Sequence, residues 1–139
     1  MLAPGPGYLA STWQTPVPVV PAATIVGSGA NRLKFMMSED AYLGDTQFTL
    51  KVDGTQIGGT QTVKALHAIM QSQEFDFLGT FAPGTHSIAI SFINDRYAGT
   101  ATLDRNLYGD SGSIDGKAIT GSTFAQLANG THTTTFQLP

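Results

Sequence analysis

Gln47-Phe48-Thr49-Leu50-Lys51-Val52-Asp53-Gly54 decides the fold class. Phe48, Leu50 and Val52 alternate with Gln47, Thr49 and Lys51. Successive side chains of a strand point to opposite faces, so this spacing gives one face to a core and the other to water. Asp53-Gly54 then supplies turn chemistry. The same period runs through Leu33, Phe35 and Met37, which alternate with Arg32, Lys34 and Met36. It returns in Phe75, Phe77, Gly79 and Phe81, ending at Pro83-Gly84, and in Ile88, Ile90 and Phe92. Near the C-terminus, Phe124 to Leu127 and His132 to Leu138 flank Asn129-Gly130, a pair that predicts a hairpin. No long segment carries a helical period, and only Val63 to Gln73 has room for a turn or two of helix. Short strands with Gly, Asp, Asn and Pro turns predict an all-β, two-sheet β-sandwich of jelly-roll type, without internal repeats.

The chain has 139 residues, enough for one domain with its own core. Its seven basic and ten acidic residues give a formal charge of −3, and the basic residues do not cluster. That balance excludes general attraction to nucleic acid or to an anionic membrane. No apolar run approaches the roughly 20 residues of a membrane-spanning helix, so no membrane insertion is expected. Cysteine is absent, which removes disulfides and thiolate metal sites. A bound calcium ion is an alternative brace for an all-β domain.

From Met1 to Ala30 there is no charged residue, and Pro4, Pro6, Pro16, Pro18 and Pro21 rule out helix. Tyr8, Leu9, Trp13, Val17, Val19 and Val20 make the stretch more apolar than a solvated linker needs. Residues 1–30 therefore read as an extended Pro-rich arm or linker and 31–139 as the sandwich domain. The prolines and the missing basic segment do not fit a signal peptide. The expected location is extracellular or the surface of a virion or similar particle.

Acidic side chains are scarce, so their grouping is informative. One group is Ser38-Glu39-Asp40-Ala41-Tyr42-Leu43-Gly44-Asp45; the other runs from Asn94-Asp95-Arg96-Tyr97 to Asp104-Arg105-Asn106. Both read as loops. Calcium takes six to eight oxygen ligands from carboxylates, amides and free carbonyls, and two such loops at one end of a sandwich supply those atoms. Turn formation and capping are the competing role for loop acids. His67, His86 and His132 have no ligand spacing and read as core or surface residues rather than a zinc site. Asp104-Arg105 also fits a buried structural pair, the role favoured for Arg105. Gly58-Gly59 reads as a turn and not a phosphate loop, because no helix follows.

The segment Asp40 to Tyr108 resembles calcium-dependent, xylan-binding modules of carbohydrate-binding module families 36 and 60. The resemblance rests on Asp40-Ala-Tyr-Leu-Gly-Asp45, Phe48-Thr-Leu-Lys-Val-Asp-Gly54, Phe92-Ile-Asn-Asp95 and, most specifically, Asp104-Arg-Asn-Leu-Tyr108. It implies a calcium ion that coordinates neighbouring sugar hydroxyls directly. It also implies Asp95 and Asp104 as carboxylate ligands, with a main-chain carbonyl near Tyr97. Asn94 joins this candidate set, and Asp45 enters it as a ligand or as an acceptor for a sugar hydroxyl. Tyr42 and Tyr97 would offer apolar faces to a pyranose, with Glu39, Asp40 and Arg96 bonding the remaining hydroxyls. Arg96, Ala98, Ile69 and Met70 depart from the family pattern and bear on sugar preference.

Glu39 and Asp95 form a nominal carboxylate pair, but no catalytic signature appears and there is little loop length for a groove. The chain reads as a binder of polysaccharide or cell-surface glycan rather than an enzyme. The alternative is a structural subunit of a virion surface or extracellular appendage, docking on a protein assembly through residues 1–30.

Overall fold

A computed structural model describes residues 17–139, so the greater part of the expected arm lies outside the described residues. Eleven strands follow in order: β1 (Thr24–Gly27), β2 (Asn31–Asp40), β3 (Gln47–Val52), β4 (Thr55–Gln56), β5 (Gln61–Thr62), β6 (Gln73–Gly79), β7 (Gly84–Phe92), β8 (Asn106–Ile114), β9 (Lys117–Ala118), β10 (Phe124–Gln126) and β11 (Gly130–Leu138). A single 3-10 turn, His67–Ile69, lies within the one stretch whose sequence allowed for helix. One sheet has the order β1-β6-β2-β8-β10, with β9 on β8; the other has β11-β7-β3-β4, with β5 on β3. The chain crosses repeatedly between them, and the result is the expected two-sheet sandwich.

The alternation read in the sequence is what fills the space between the sheets. Leu33, Phe35 and Met37 of β2, Phe48, Leu50 and Val52 of β3, Phe75 and Phe77 of β6, and Ile88, Ile90 and Phe92 of β7 are all buried. Phe48 meets Phe75 edge to face at 5.1 Å. Each such fully buried side chain contributes about 1.5–3 kcal/mol.

Two expectations are corrected. The hairpin at Asn129-Gly130 does not form: β10 pairs with β8 in one sheet, and β11 pairs along its length with β7 in the other. Gly109 lies directly under the Phe124 ring, where any Cβ would collide, and this seats β10 on β8. Asn129 is used differently, its Oδ1 accepting the Asp95 N–H at 2.8 Å. The boundary at residue 30 also falls too late. Thr24–Gly27, inside the expected arm, pairs in parallel with β6 from Phe75 to Leu78.

Strand register sets up one end of the molecule. Asp40 at the end of β2 faces Asn106 at the start of β8, while Phe48 on β3 faces Phe92 on β7. Residues 41–46 and 93–105 therefore leave the sandwich at the same end. Glu39 pairs with Leu66 in a parallel bridge, which brings the 3-10 turn there as well. A bulge shifts the β2–β8 register between Met36 and Met37, pairing them with Ser111 and Gly109. Asp110 is left as the extra residue; such bulges re-aim side chains.

Candidate functional site

The two acidic loops are fastened by Arg105, which is only 7% exposed. Its guanidinium donates to the Tyr42 carbonyl from Nε (3.1 Å) and Nη2 (2.6 Å), to Leu43 O from Nη2 (2.7 Å), and to Asn94 O from Nη1 (2.8 Å). The structural role expected of Arg105 is what the geometry gives, but its partners are carbonyls and not Asp104. Asn94 tightens the same junction: its Oδ1 accepts Gln47 N–H at 2.7 Å and its Nδ2 donates to Asp45 O at 2.9 Å. Each Asn94 oxygen thus already accepts one hydrogen bond at this junction.

The second loop folds back on itself. Tyr97 and Asp104 stand opposite in an antiparallel bridge, flanked by Ala98 N–H to Leu103 O and Arg105 N–H to Arg96 O, both 2.8 Å. This pattern marks a non-hydrogen-bonded pair, so the main-chain groups of Tyr97 and Asp104 are not used between the two plies. Asp95 lies two residues before Tyr97 on the same ribbon. Asp95 Oδ1 and Asp104 Oδ1 are buried and have no hydrogen-bond partner, as is Asn106 Oδ1. Buried acceptors are paired in the great majority of cases, so two carboxylate oxygens left alone on one loop are a departure with a cost. Tyr97 itself is 62% exposed.

The first loop holds its acids differently. Asp45 Oδ2 accepts from Lys64 Nζ at 2.5 Å. Partial burial pushes the Asp45 carboxyl up, but its bonds with Lys64 and Glu39 outweigh this and hold it below the ordinary range. Its carboxylate is therefore paired with Lys64, unlike the unpartnered oxygens of Asp95 and Asp104. Glu39 is 1% exposed, on the core face of β2 in line with Leu33, Phe35 and Met37, and it borders the cleft at this end of the sandwich only as a buried side chain. Its Oε1 accepts Thr46 N–H at 2.6 Å while Oε2 stays unpaired. Burial, opposed by that bond and reinforced by Asp45, pushes its carboxyl up to about 8. The period of β2 already carried this signal.

Asp40, by contrast, is half-buried at the rim, accepting from Tyr108 Oη (2.6 Å) and Asn106 Nδ2 (3.0 Å) on one oxygen. It lines a cleft of about 330 Å³ with Ala41, Ile69, Ala101, Thr102 and Asp104. Of these neighbours, Thr102 and Ala101 were not singled out from the sequence. Tyr42 is half-buried over the Arg105 staple, and Arg96 is exposed on the second loop.

Among the described residues, no three His, Cys, Asp or Glu side chains converge on one point. A transition-metal cage is not what these residues offer. Two carboxylates with unpaired oxygens beside an uncommitted Tyr97 carbonyl fit a hard cation, which accepts neutral oxygens in the remaining positions.

The sequence profile of CBM60, described as a calcium-dependent, xylan-binding carbohydrate-binding module, matches residues 33–134. A solved structure of vCBM60 in its selenomethionine form, described as part of a circular-permutation link between two families of calcium-dependent modules, superposes with a TM-score of 0.54. It is 17% identical over 78% of this chain and 91% of that one. vCBM60 in complex with galactobiose gives 0.52 and 18% identity, over 76% of this chain and 97% of that one. At such identities the likeness shows the fold. No curated protein matches the chain. With the profile spanning most of the sandwich, the chain belongs to the CBM60 family of calcium-dependent, xylan-binding carbohydrate-binding modules.

Proposed function

We propose that this chain binds a polysaccharide through one calcium ion held by the Asp95 and Asp104 carboxylates and the Tyr97 carbonyl, and that it has no catalytic role. The observation that carries the reading is the pair of buried, unpartnered carboxylate oxygens on Asp95 and Asp104. An oxygen-seeking cation satisfies both at once, and the ion, when bound, supplies a Lewis-acidic centre that exchanges water for two neighbouring sugar hydroxyls. The protein's share is to hold the ribbon. The Tyr97–Asp104 bridge sets the spacing of the two plies, and Arg105 locks the neighbouring loop.

Around the ion, the exposed Tyr97 ring provides an apolar face for a pyranose. Asp40 and Thr102 line the adjoining cleft with acceptor and donor groups, and the exposed Arg96 and half-exposed Tyr42 lie on the two loops at the same end of the sandwich. The family description supports xylan as ligand, and the galactobiose complex of vCBM60 supports a galactose disaccharide as a second candidate. Such a ligand implies work outside the cell. Thr24–Gly27 is spent on the module's own sheet, which weakens the case for an assembly arm. Isothermal titration with xylo-oligosaccharides and galactobiose, in calcium and again in chelator, tests the proposal. Binding is expected in calcium alone, and binding that survives chelation overturns direct coordination.

A further inference from the structure

A second cleft, of about 380 Å³, lies on the opposite flank of the 3-10 turn and is lined by His67, Met70, Gln71, Ser72 and Asp110. Its walls are unusually fixed. The His67 ring stacks on Tyr108 with centroids 3.7 Å apart and planes 8° from parallel. Its Nδ1 lies 2.9 Å from the hydroxyl of the buried Ser38. The same hydroxyl donates to Asp110 Oδ1 at 3.1 Å, and Ser72 Oγ donates to Asp110 Oδ2 at 2.5 Å. The β-bulge makes this possible, because it releases Asp110 from strand pairing and aims it here. One face of the imidazole is thus covered and its edge is pinned, while nearly half of the side chain remains open.

Met70 completes the wall at a conformational cost. It sits in the left-handed region, at φ 61° and ψ 34°, closing the turn through its N–H to His67 O. Residues with a Cβ are disfavoured there, and glycine or asparagine is the usual occupant. The side chain is nevertheless apolar and 94% exposed. Neither local backbone preference nor core packing accounts for a methionine at this point, whereas a surface for ligand does.

The walls of the two clefts are linked by a chain of side chains. Tyr108, beneath His67, donates to Asp40, and Asp40 lines the first cleft beside Asp104. Ile69, 48% exposed, faces that first cleft from the crest of the turn. We propose that His67, Met70, Ser72 and Asp110 form a second saccharide subsite, taking a pyranose of the same glycan at least two units along from the one held at the ion. This rests on the ion-site reading. A pyranose presents C–H faces and hydroxyl edges together, and this cleft offers an open imidazole face and a thioether beside a carboxylate and a hydroxyl. Asp110 retains acceptor capacity after its two serine bonds, since a carboxylate carries about four lone-pair positions.

The test is isothermal titration of the chain in calcium with xylobiose and xylopentaose, for the wild type, Met70→Gly and His67→Ala. Wild type is expected to bind the longer sugar about tenfold more tightly, and each variant to bring the two within about threefold. Xylobiose affinity should stay within about twofold of wild type in both variants. Met70→Gly relieves the left-handed backbone, so it should melt no lower than wild type and guards against a folding artefact. A length advantage that persists in both variants, or no advantage in a wild type that binds xylobiose, overturns the subsite. Failure of wild type to bind either sugar overturns the ion-site reading, and the subsite falls with it.

Discussion

Replacing Asp104 by Asn separates the cost of the ion site from its benefit. Without calcium, the Oδ1 atoms of Asp95 and Asp104 are buried acceptors with no donor, on one short ribbon. An unsatisfied buried acceptor costs about 1–3 kcal/mol, and a second carboxylate nearby adds like-charge repulsion. The Asn side chain keeps the shape, removes one charge and introduces a donor. In chelator, Asp104→Asn should therefore match the wild type or exceed it by about 1 kcal/mol. In calcium the order reverses. At a hundredfold excess over its dissociation constant, an ion that binds only the folded state stabilises it by about 2.7 kcal/mol. For a domain of this size that is roughly 10 °C in Tm, and Asp104→Asn should forfeit nearly all of it. Scanning calorimetry of both proteins in chelator and in calcium measures the two differences directly. A variant that keeps the calcium-dependent rise, or that melts well below wild type in chelator, refutes the reasoning. In the first case Asp104 is not a ligand; in the second its unpaired oxygen is not a liability.

Other consequences are reached by simpler experiments. Arg105→Ala removes four charge-assisted bonds and leaves the carbonyls of Tyr42, Leu43 and Asn94 without their donor. Because the rim admits water, the expected loss is about 3 kcal/mol rather than the full sum, read as a lower urea midpoint at unchanged slope. Arg105→Lys should recover only part of it, since an ammonium cannot span the three carbonyls as the guanidinium fork does. Glu39 has its folded-state carboxyl pushed up to about 8, so between the ordinary carboxylate range and that value the folded chain holds a proton that the unfolded chain has released. Stability should fall as pH rises through this window. Glu39→Gln keeps an acceptor for Thr46 N–H without the titration, so its melting temperature should be flatter over the same range and above wild type at its upper end; parallel profiles would show that Glu39 is not responsible.

The sandwich was legible because period two survives in β2, β3, β6 and β7, which supply most of the core. In Gln47–Val52 the residues read as apolar-inward are the ones buried. β1 was not legible: four residues, Thr24–Gly27, flanked by proline and glycine, carry too little alternation to stand out. Asn129-Gly130 misled because turn chemistry is local, whereas the partners of β10 and β11 are chosen by distant surfaces. Those are a glycine under Phe124 and a full-length ladder with β7. At the candidate site, Asp95 and Asp104 were singled out by the resemblance to calcium-dependent modules and not by any local pattern. Lys64, which claims Asp45, stands 19 residues further along on another element, and no local pattern announces that pairing. The bulge that frees Asp110 is equally invisible, since it is a property of two strands in register rather than of either alone. The burial of Glu39 is instructive. Its place two residues after Met37 already put it on the inward face, but its chemistry suggested a surface role.

The division of cations between the two loops explains why only one of them remains open. Lone carbonyls and carboxylates gathered at one end of a sandwich need positive charge or donors from somewhere. The first loop receives them from the chain itself: Arg105 occupies the carbonyls of Tyr42 and Leu43, and Lys64 takes Asp45. An internal cation is permanent and fully coordinated, so this loop is rigid and offers a ligand only its rim groups, Asp40 and Tyr42. The second loop receives no such cation at Asp95 or Asp104, although Arg105 is the very next residue and Arg96 is equally close in sequence. An arginine turned onto those carboxylates would stabilise the loop at once and close the site. Leaving them unpaired keeps a position for an ion with exchangeable coordination, which a guanidinium lacks, and exchange is what sugar hydroxyls require. The built-in cation of one loop therefore holds the frame in which the other loop can use a borrowed one.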